Sequence, residues 1–268
     1  MRDPDAGLSA CVIARNECDR IGECLASLSF CEETLVVDAH SSDGTAELCR
    51  ARGARVIERD WPGFVAQKDF AVRAAAHDWV LCIDADERIS PELREEIEAL
   101  RAAGFGARAG YRVPRRSAYL GRWIRHGSWH PDRQLRLFDR RRGRWSGFDP
   151  HDRVELDGPA GVLRGELLHL PYRSFADHLA TIERYTTIRA RELHVRGRRA
   201  RLVDLMLRPA WRFLRFYAIE AGFLDGWRGL LLAYLAAHYV RLKYAKLWLL
   251  QRGLEAPPDP DPDRAGTG

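Results

Sequence analysis

Three carboxylates lie within four residues where an apolar run ends, since Asp84, Asp86 and Glu87 follow the segment WVLCI. Carboxylates this close repel one another unless a cation lies among them. A divalent cation on a loop at a strand end bridges protein and phosphate oxygens and, as a Lewis acid, stabilises a leaving diphosphate. Two aspartates one residue apart are common by chance, but this position after a strand is specific. We therefore expect Asp84 and Asp86 to hold Mg2+ or Mn2+ together with a diphosphate.

A second acidic loop follows the segment LVV, where Asp38 precedes SSDGT. An aspartate at a strand end in a nucleotide-binding fold accepts a hydrogen bond from a base imide or a ribose hydroxyl, and Gly44 permits the tight turn. Ser42 and Asp43 fit equally well as binding residues and as the cap or turn that starts a helix. We expect Asp38 to contact a nucleoside.

Strands and helices alternate through the first third of the chain. Apolar runs predict strands at 8–14, 35–37, 55–60 and 79–84, and helical segments follow each of them. After the fourth strand, Ser90 as N-cap and Pro91 at the first helical position mark a helix start. This pattern predicts an α/β fold with helices on both faces of a parallel sheet, whose ligands bind beyond the carboxyl ends of the strands.

The six cysteines lie in the first third of the chain without paired metal-ligand spacing. We predict reduced core residues of a cytoplasmic protein rather than a disulfide framework. The N-terminal segment MRDPDAGLSACVIARNE lacks the basic and apolar regions of a secretory signal.

Positive charge is concentrated near the C-terminus, since residues 184–252 contain fifteen Arg or Lys against four Asp or Glu. The pattern of the segment 175–252 predicts helices. Its longest uncharged stretch, 229–240, is shorter than the ~20 apolar residues that a membrane span needs. Basic residues beside aromatic ones predict a helical membrane-associating segment on an anionic surface. Six residues carry this prediction: Arg208, Arg212, Arg215, Arg241, Lys243 and Lys246. The alternatives are a helical subdomain packed on the core and a nucleic-acid-binding surface, and the Leu-rich runs argue against nucleic acid.

The succession CVIARNE, VVDAHSSDGT, FVAQKDFA and WVLCIDADE resembles glycosyltransferase family 2, the inverting enzymes of the GT-A fold. Within that family, QKDFA, DADER and GFLDGWRGL are similar to the enzymes that add glucose to the inner core of lipopolysaccharide. The resemblance implies a GT-A (Rossmann-like) mixed sheet flanked by helices, and a nucleoside diphosphate sugar donor, with a preference for UDP. It also implies that Glu17 and Asp38 contact the nucleoside, that Lys68 lies near the nucleotide, and that Asp84 and Asp86 serve the metal and the diphosphate.

The resemblance also implies a catalytic base, which in that family is a carboxylate well after the D-x-D pair, here Asp84 and Asp86. Many relatives have His-Glu after a Gly-containing turn, where this chain has His151-Asp152 after WSGFDP. Asp132 in WHPDRQLRLF is the alternative base, and a structural role for both remains open. His169 resembles a histidine that helps to hold the metal or the diphosphate, although a hydrogen-bonded strand histidine fits equally well. Arg136 suits phosphate, because a guanidinium fork matches phosphate oxygens.

Two other enzyme classes fit less well. Phosphatases of the haloacid dehalogenase type have D-x-D after the first strand, and nucleotidyltransferases have a Gly-rich loop where this chain has ARNECDR. The sequence predicts an inverting, metal-assisted glycosyltransferase that moves a hexose such as glucose to a lipid-linked or lipopolysaccharide-core acceptor. We expect it at the cytoplasmic face of the inner membrane, with no nucleic-acid partner. The alternative is a basic nucleic-acid- or membrane-binding module without transferase activity.

The predicted organisation has three parts. Residues 1–172 form the catalytic domain, 173–254 the amphipathic helical region, and 255–268, which are acidic and Pro-rich, a disordered tail.

Overall fold

The computed structural model describes residues 7–148 and 151–254, which divide into two compact units. The first contains the described residues of Met1–Ala118 and Pro131–Pro171, and the second those of Tyr119–His130 and Tyr172–Gly268. The predicted disordered tail lies outside the described residues.

A mixed β-sheet is the centre of the first unit. Its strands are β1 (Leu8–Ala14), β2 (Glu33–Asp38), β3 (Arg55–Glu58), β4 (Trp79–Asp84), β5 (Glu87–Ile89), β6 (Gly110–Tyr119), β8 (Asp132–Asp139), β9 (Gly143–Phe148), β10 (His151–Leu156), β11 (Ala160–Val162) and β12 (Leu167–His169), while the two-residue β7 (Arg122–Trp123) belongs to the second unit. The sheet follows the order β3-β2-β1-β4-β8-β6-β12-β5, with β11 paired to β6 and a separate β9-β10 hairpin. The first four strands are parallel, which confirms the predicted strands and their alternation with helices. The antiparallel pairing of β8 with β4 and β6 makes the sheet mixed.

Four helices cover the two faces of this sheet: α1 (Ile21–Ser27), α2 (Thr45–Ala51), α3 (Phe64–Ala74) and α4 (Pro91–Ala102). Side chains of β1 alternate between the faces, so that Leu8 and Val12 pack in one apolar cluster with residues of α1 and α4, and Cys11 packs in another with α3. All six cysteines are free thiols, and four of them are buried, which agrees with their predicted reduced state.

Two predicted helix starts had different outcomes. Ser90 caps α4, since its Oγ accepts a hydrogen bond from Leu93 N at 3.2 Å, as predicted. Of the two alternatives left open for the start of α2, the structure favours the turn over the side-chain cap, because Gly44 stands at the N-cap with a φ of 87° and provides no side chain. Asp43 is instead a turn residue, whose Oδ1 accepts from the backbone N of Thr45 at 3.1 Å.

The second unit contains three long helices, α5 (Phe175–Val195), α6 (Leu202–Leu214) and α7 (Gly226–Leu250). The segment Tyr119–His130, which lies in sequence between two parts of the first unit, belongs to the second unit. Two hydrogen bonds hold it there: the backbone N of His126 donates to Asp225, and that of Gly127 donates to Glu220 O. None of the helices in the described ranges is both long and apolar enough to cross a membrane.

Candidate functional site

The loops after β1 and β2 are joined by reciprocal hydrogen bonds at the carboxyl edge of the sheet. Asn16 N donates to Ser41 Oγ at 2.8 Å, and Ser42 N donates to Asn16 Oδ1 at 2.9 Å. Asn16 and His40 both have positive φ angles, of 55° and 52°. Non-glycine residues in this region are uncommon and concentrate at functional loops. The two loops therefore form one rigid edge beside the end of β4.

The two residues expected at the nucleoside are both engaged within these loops. The oxygens of Asp38 accept from Ser41 N at 2.7 Å and from Ser41 Oγ at 2.6 Å, and the residue is only 1% exposed. Glu17 accepts two hydrogen bonds from the guanidinium of Arg20, each at 2.8 Å. Because Asp38 is almost completely buried, direct contact with a nucleoside would require this loop to change conformation.

Seven charged side chains of alternating sign form a continuous network at the end of β4, which we call the ion chain. Successive nitrogen–oxygen distances along it run from 2.7 to 3.1 Å. Its members, in order of contact, are Asp152, Lys68, Asp84, Arg136, Glu87, Arg115 and Asp132. The chain therefore joins the first aspartate of the D-x-D pair, Lys68 and Arg136 to both candidate bases.

The central members of the ion chain are fixed in their charged forms. Burial alone would raise the pKa of Asp84, but Arg136 and Lys68 outweigh it and hold that pKa far below its usual range. Burial alone would lower the pKa of Lys68, but Asp84 and Asp152 raise it above the ordinary value. The Lys68 ammonium also lies 4.7 Å from the centre of the Trp145 ring. These groups stay charged at any physiological pH.

Two members of the ion chain, Glu87 and Arg115, are absent from the predicted site residues. Glu87 is 0% exposed and accepts from Arg136 at 2.8 Å, from Arg115 at 3.1 Å and from the backbone N of Asp84 at 3.0 Å. The only signal for Glu87 was its position among three acids in four residues. No sequence pattern indicates Arg115, which comes from β6.

Asp86 lies outside the ion chain and faces His169. The distance from Asp86 Oδ2 to His169 Nε2 is 3.4 Å, and His169 Nδ1 lies 2.9 Å from Ser117 Oγ. The antiparallel pairing of β5 with β12 brings His169 opposite Glu87, next to the D-x-D loop. Burial would raise the pKa of Asp86, but the hydrogen bond and charge of His169 lower it.

These residues differ in how well they suit a divalent cation. Both oxygens of Asp84 are occupied, at 3.0 Å from Lys68 and 2.7 Å from Arg136. Asp86 and His169 form a two-donor set, and the described residues include no cluster of three His, Cys, Asp or Glu that could hold a metal. Mg2+ is commonly bound by one or two carboxylates together with substrate phosphates and water. Asp86 with His169 fits that arrangement, whereas Asp84 fits a structural role in the ion chain.

Three of the six basic residues expected at a membrane are paired with acids of the second unit. Arg208 pairs with Asp204 at 2.5 Å and Arg215 pairs with Glu220 at 2.8 Å. Lys246 pairs with Glu183 at 2.6 Å and is mostly buried. Apart from Arg208, the large exposed side chains of α6 are apolar. Six of its side chains, each at least 49% exposed, define what we call the apolar face: Leu202, Val203, Met206, Leu207, Trp211 and Leu214.

Comparison with known proteins identifies the family. The model of glycosyl transferase family 2 matches residues 9–155. The chain is also 32% identical to a lipopolysaccharide core biosynthesis glycosyltransferase, LpsC, of Rhizobium meliloti over 96% of this chain and 97% of that protein. An uncharacterised glycosyltransferase of Rickettsia typhi is 29% identical over 90% of this chain and 86% of that protein. The chain therefore belongs to glycosyltransferase family 2, and the mixed sheet with helices on both faces is the α/β GT-A fold expected of it.

Solved structures are more distant. S. aureus TarS 1–349 matches 92% of this chain and 92% of its own, with 14% identity and a TM-score of 0.46. Glucosyl-3-phosphoglycerate synthase from Mycobacterium tuberculosis, in complex with Mn2+, UDP and glucosyl-3-phosphoglycerate, matches 42% of this chain with 23% identity and a TM-score of 0.35. The match spans 45% of the synthase chain, less than half of it.

Proposed function

We propose that this glycosyltransferase transfers a hexose from a UDP-sugar, with inversion, to a hydroxyl of a lipid-linked lipopolysaccharide-core acceptor. The observation that carries the proposal is the ion chain at the end of β4, with Asp86 and His169 beside it. The ion chain has four carboxylates against three cations, and Asp86 adds another negative charge. A donor diphosphate would be repelled by this excess unless a cation joins it.

Asp86 and His169 would hold that cation. When bound, Mg2+ or Mn2+ supplies Lewis-acid stabilisation of the leaving diphosphate. The hydrogen bond between His169 Nδ1 and Ser117 Oγ orients the imidazole so that Nε2 faces Asp86. Lys68 and Arg136 act from the ion chain by holding Asp84 and, through it, the conformation of the D-x-D loop.

Asp152 is the proposed base that removes the proton from the acceptor hydroxyl. Its Oδ2 accepts from Lys68 at 2.8 Å, and among the described residues Oδ1 has no hydrogen-bond partner. Asp132 has both oxygens engaged, Oδ1 by Gln134 and Oδ2 by Arg115. A base needs a free lone pair directed at the substrate, so this difference favours Asp152.

The proposed acceptor and the proposed membrane location are supported by different observations. The curated relative LpsC is a lipopolysaccharide core biosynthesis enzyme by name. The excess of basic residues in 184–252 and the apolar face of α6 support work on an anionic membrane surface. Free cysteines agree with the cytoplasmic face of the inner membrane, where we propose that the enzyme works peripherally.

The test is transfer from UDP-glucose to truncated lipopolysaccharide by the purified chain, with and without a chelator. Asp86→Ala should reduce turnover by about 10²-fold or more, because it removes a cation ligand from a partly exposed loop without opening the core. Asp60→Ala is the matched control, since that carboxylate is fully exposed. Asp86→Ala activity within about tenfold of wild type, or full wild-type activity in excess chelator, would refute the metal-assisted mechanism.

A further inference from the structure

A pocket in the second unit is lined by four arginines: Arg198, Arg199, Arg201 and Arg208. Its volume is about 450 Å³, within the ~300–1,000 Å³ of small-ligand pockets. The walls come from the end of α5, the loop before α6, α6 itself and Tyr244 with Leu247 of α7. The pocket uses none of the residues assigned to sugar transfer.

The charge of this pocket is not balanced by its own residues. Asp204 is the single acid among the nine lining residues, so four arginines against one aspartate leave a net charge of +3. Asp204 is already occupied, since it accepts from Arg201 N at 2.8 Å and from Arg208 Nε at 2.5 Å. Arg198 and Arg199 are exposed and have no carboxylate partner within the described part of the chain.

A further cation adds to this positive region. The ring of Tyr244 has Arg208 at 5.0 Å and Lys243 at 4.9 Å from its centre. Burial, together with the neighbouring Arg189, Arg208 and Arg212, lowers the pKa of Lys243 below its ordinary value. An anionic ligand in the pocket would relieve this repulsion, and a guanidinium pair matches phosphate oxygens with two parallel hydrogen bonds.

We propose that the arginine pocket binds the phosphate group of a membrane amphiphile. Val203 belongs both to the pocket wall and to the apolar face, and Leu202, Met206 and Leu207 extend that exposed face along α6. A phosphate in the pocket would therefore have apolar protein surface beside its hydrocarbon part, which a small soluble phosphate could not use. The inference rests on the membrane location in the proposed function and adds a specific headgroup site to it.

The test is binding of the full chain to phosphatidylcholine vesicles that contain phosphatidic acid, compared with vesicles of equal charge that contain oleate instead. Arg198→Gln with Arg199→Gln should weaken binding to phosphatidic acid vesicles by about twenty-fivefold, since each basic residue at such a surface contributes a factor of about five. Arg184→Gln with Arg252→Gln removes the same charge from exposed positions outside the pocket lining, and this control should retain most of its binding. Inorganic phosphate should raise the melting temperature of the wild type but not of the pocket variant.

Four results would overturn the proposal: equal loss in both variants, equal binding to phosphatidic acid and oleate vesicles, stabilisation by inorganic phosphate without vesicle binding, or pocket-dependent binding to a single-stranded RNA that exceeds binding to vesicles. Hydrolysis of UDP-glucose by water is measured in parallel. The pocket variant should retain it, so failure of the headgroup site is distinguishable from failure of the transferase function.

Discussion

Asp152 and Asp132 occupy the two ends of the ion chain. Their hydrogen-bond partners differ, and this difference distinguishes their roles. Each is held by one cation, Asp152 by Lys68 and Asp132 by Arg115. Among the described residues, Asp132 has a second partner, Gln134 at 2.5 Å, and Asp152 has none. Replacing either aspartate by asparagine removes one carboxylate from an end of the ion chain. The two variants perturb the network equally, so each is the structural control for the other.

We predict that Asp152→Asn reduces turnover by about 10² to 10⁴, because the amide cannot accept the acceptor proton, while the affinity for UDP changes little. Asp132→Asn should leave turnover much closer to wild type. Steady-state kinetics and calorimetry with UDP measure the two quantities. The assignment of the base reverses if Asp132→Asn shows the larger loss of turnover.

Glu87 is predicted to stabilise the protein more than any exposed acid of the same unit. Glu87→Gln should lower the free energy of unfolding by about 3 kcal/mol, because the buried Arg136 and the partly buried Arg115 would each lose a carboxylate partner. Denaturant unfolding measures this, with Glu23→Gln as control. Glu23 pairs with Arg88 but is 69% exposed, so its loss should cost less than about 1 kcal/mol. Equal losses in the two variants would contradict a stabilising role of the ion chain.

At the residue scale, the sequence predicted which loops carry the site but not how its charges pair. The D-x-D pair was recognisable because it directly follows an apolar strand. Arg136 lies between two leucines in QLRLF, a spacing that is typical of an exposed strand residue, yet it is only 4% exposed. It is buried because this mixed sheet is covered on both faces, so alternation does not separate inside from outside there. Its partners Asp84 and Glu87 are about fifty residues away in sequence.

Among the elements, strands and helices with clear apolar runs or caps were predicted closely. The first strand was expected at 8–14 and is observed at Leu8–Ala14, and the Ser90-Pro91 helix start was confirmed. Short strands were not predictable in this way. The three-residue β5 and β12 owe their existence to pairing with each other and, for β12, with β6. The segment Tyr119–His130 also depends on contacts distant in sequence, which assign it to the second unit and which local sequence does not encode.

Helix α5 contains a buried histidine that makes the second unit sensitive to acid. The Nδ1 of His178 lies 3.0 Å from the Tyr119 hydroxyl, and its ring stacks on Tyr172 with centres 4.0 Å apart. Burial lowers the pKa of His178 to about 4. An unfolded histidine has a pKa of about 6.5, so between these values the unfolded chain takes up a proton that the folded chain excludes.

Stability should therefore be complete above about pH 6.5 and fall by up to about 3 kcal/mol as the pH decreases toward 4. Replacing His178 by Asn should flatten that part of the profile, even if the variant is less stable at neutral pH. Urea unfolding at several pH values measures the slope. His194→Asn, at an exposed position of the same helix, is the control and should leave the slope unchanged. A wild-type slope retained in His178→Asn would contradict the role of this histidine.

At the scale of the whole molecule, charge and apolar surface divide between the two units. The segment 184–252 carries a net charge of +11, whereas the rest of the chain carries −6, to give the total of +5. Composition alone therefore predicted an anionic partner for the C-terminal part. The side chains expected to contact it are only partly available, because Arg208, Arg215 and Lys246 pair with acids of the same unit. Phe216, an aromatic neighbour of Arg215 in the sequence, is buried in that unit.

This distribution predicts that membrane attachment depends on the apolar face more than on surface charge. Met206, Leu207 and Trp211 are 73%, 64% and 57% exposed, and inserting each into the headgroup boundary would contribute on the order of 1 kcal/mol. Replacing all three by Gln should weaken binding to neutral vesicles by about a hundredfold, and high salt should weaken wild-type binding much less. The matched control replaces Phe175, Leu179 and Ile188 of α5, which are each less than 40% exposed. Vesicle co-sedimentation measures all three proteins. Release of the wild type by salt alone, or equal losses in the two triple variants, would contradict insertion through α6.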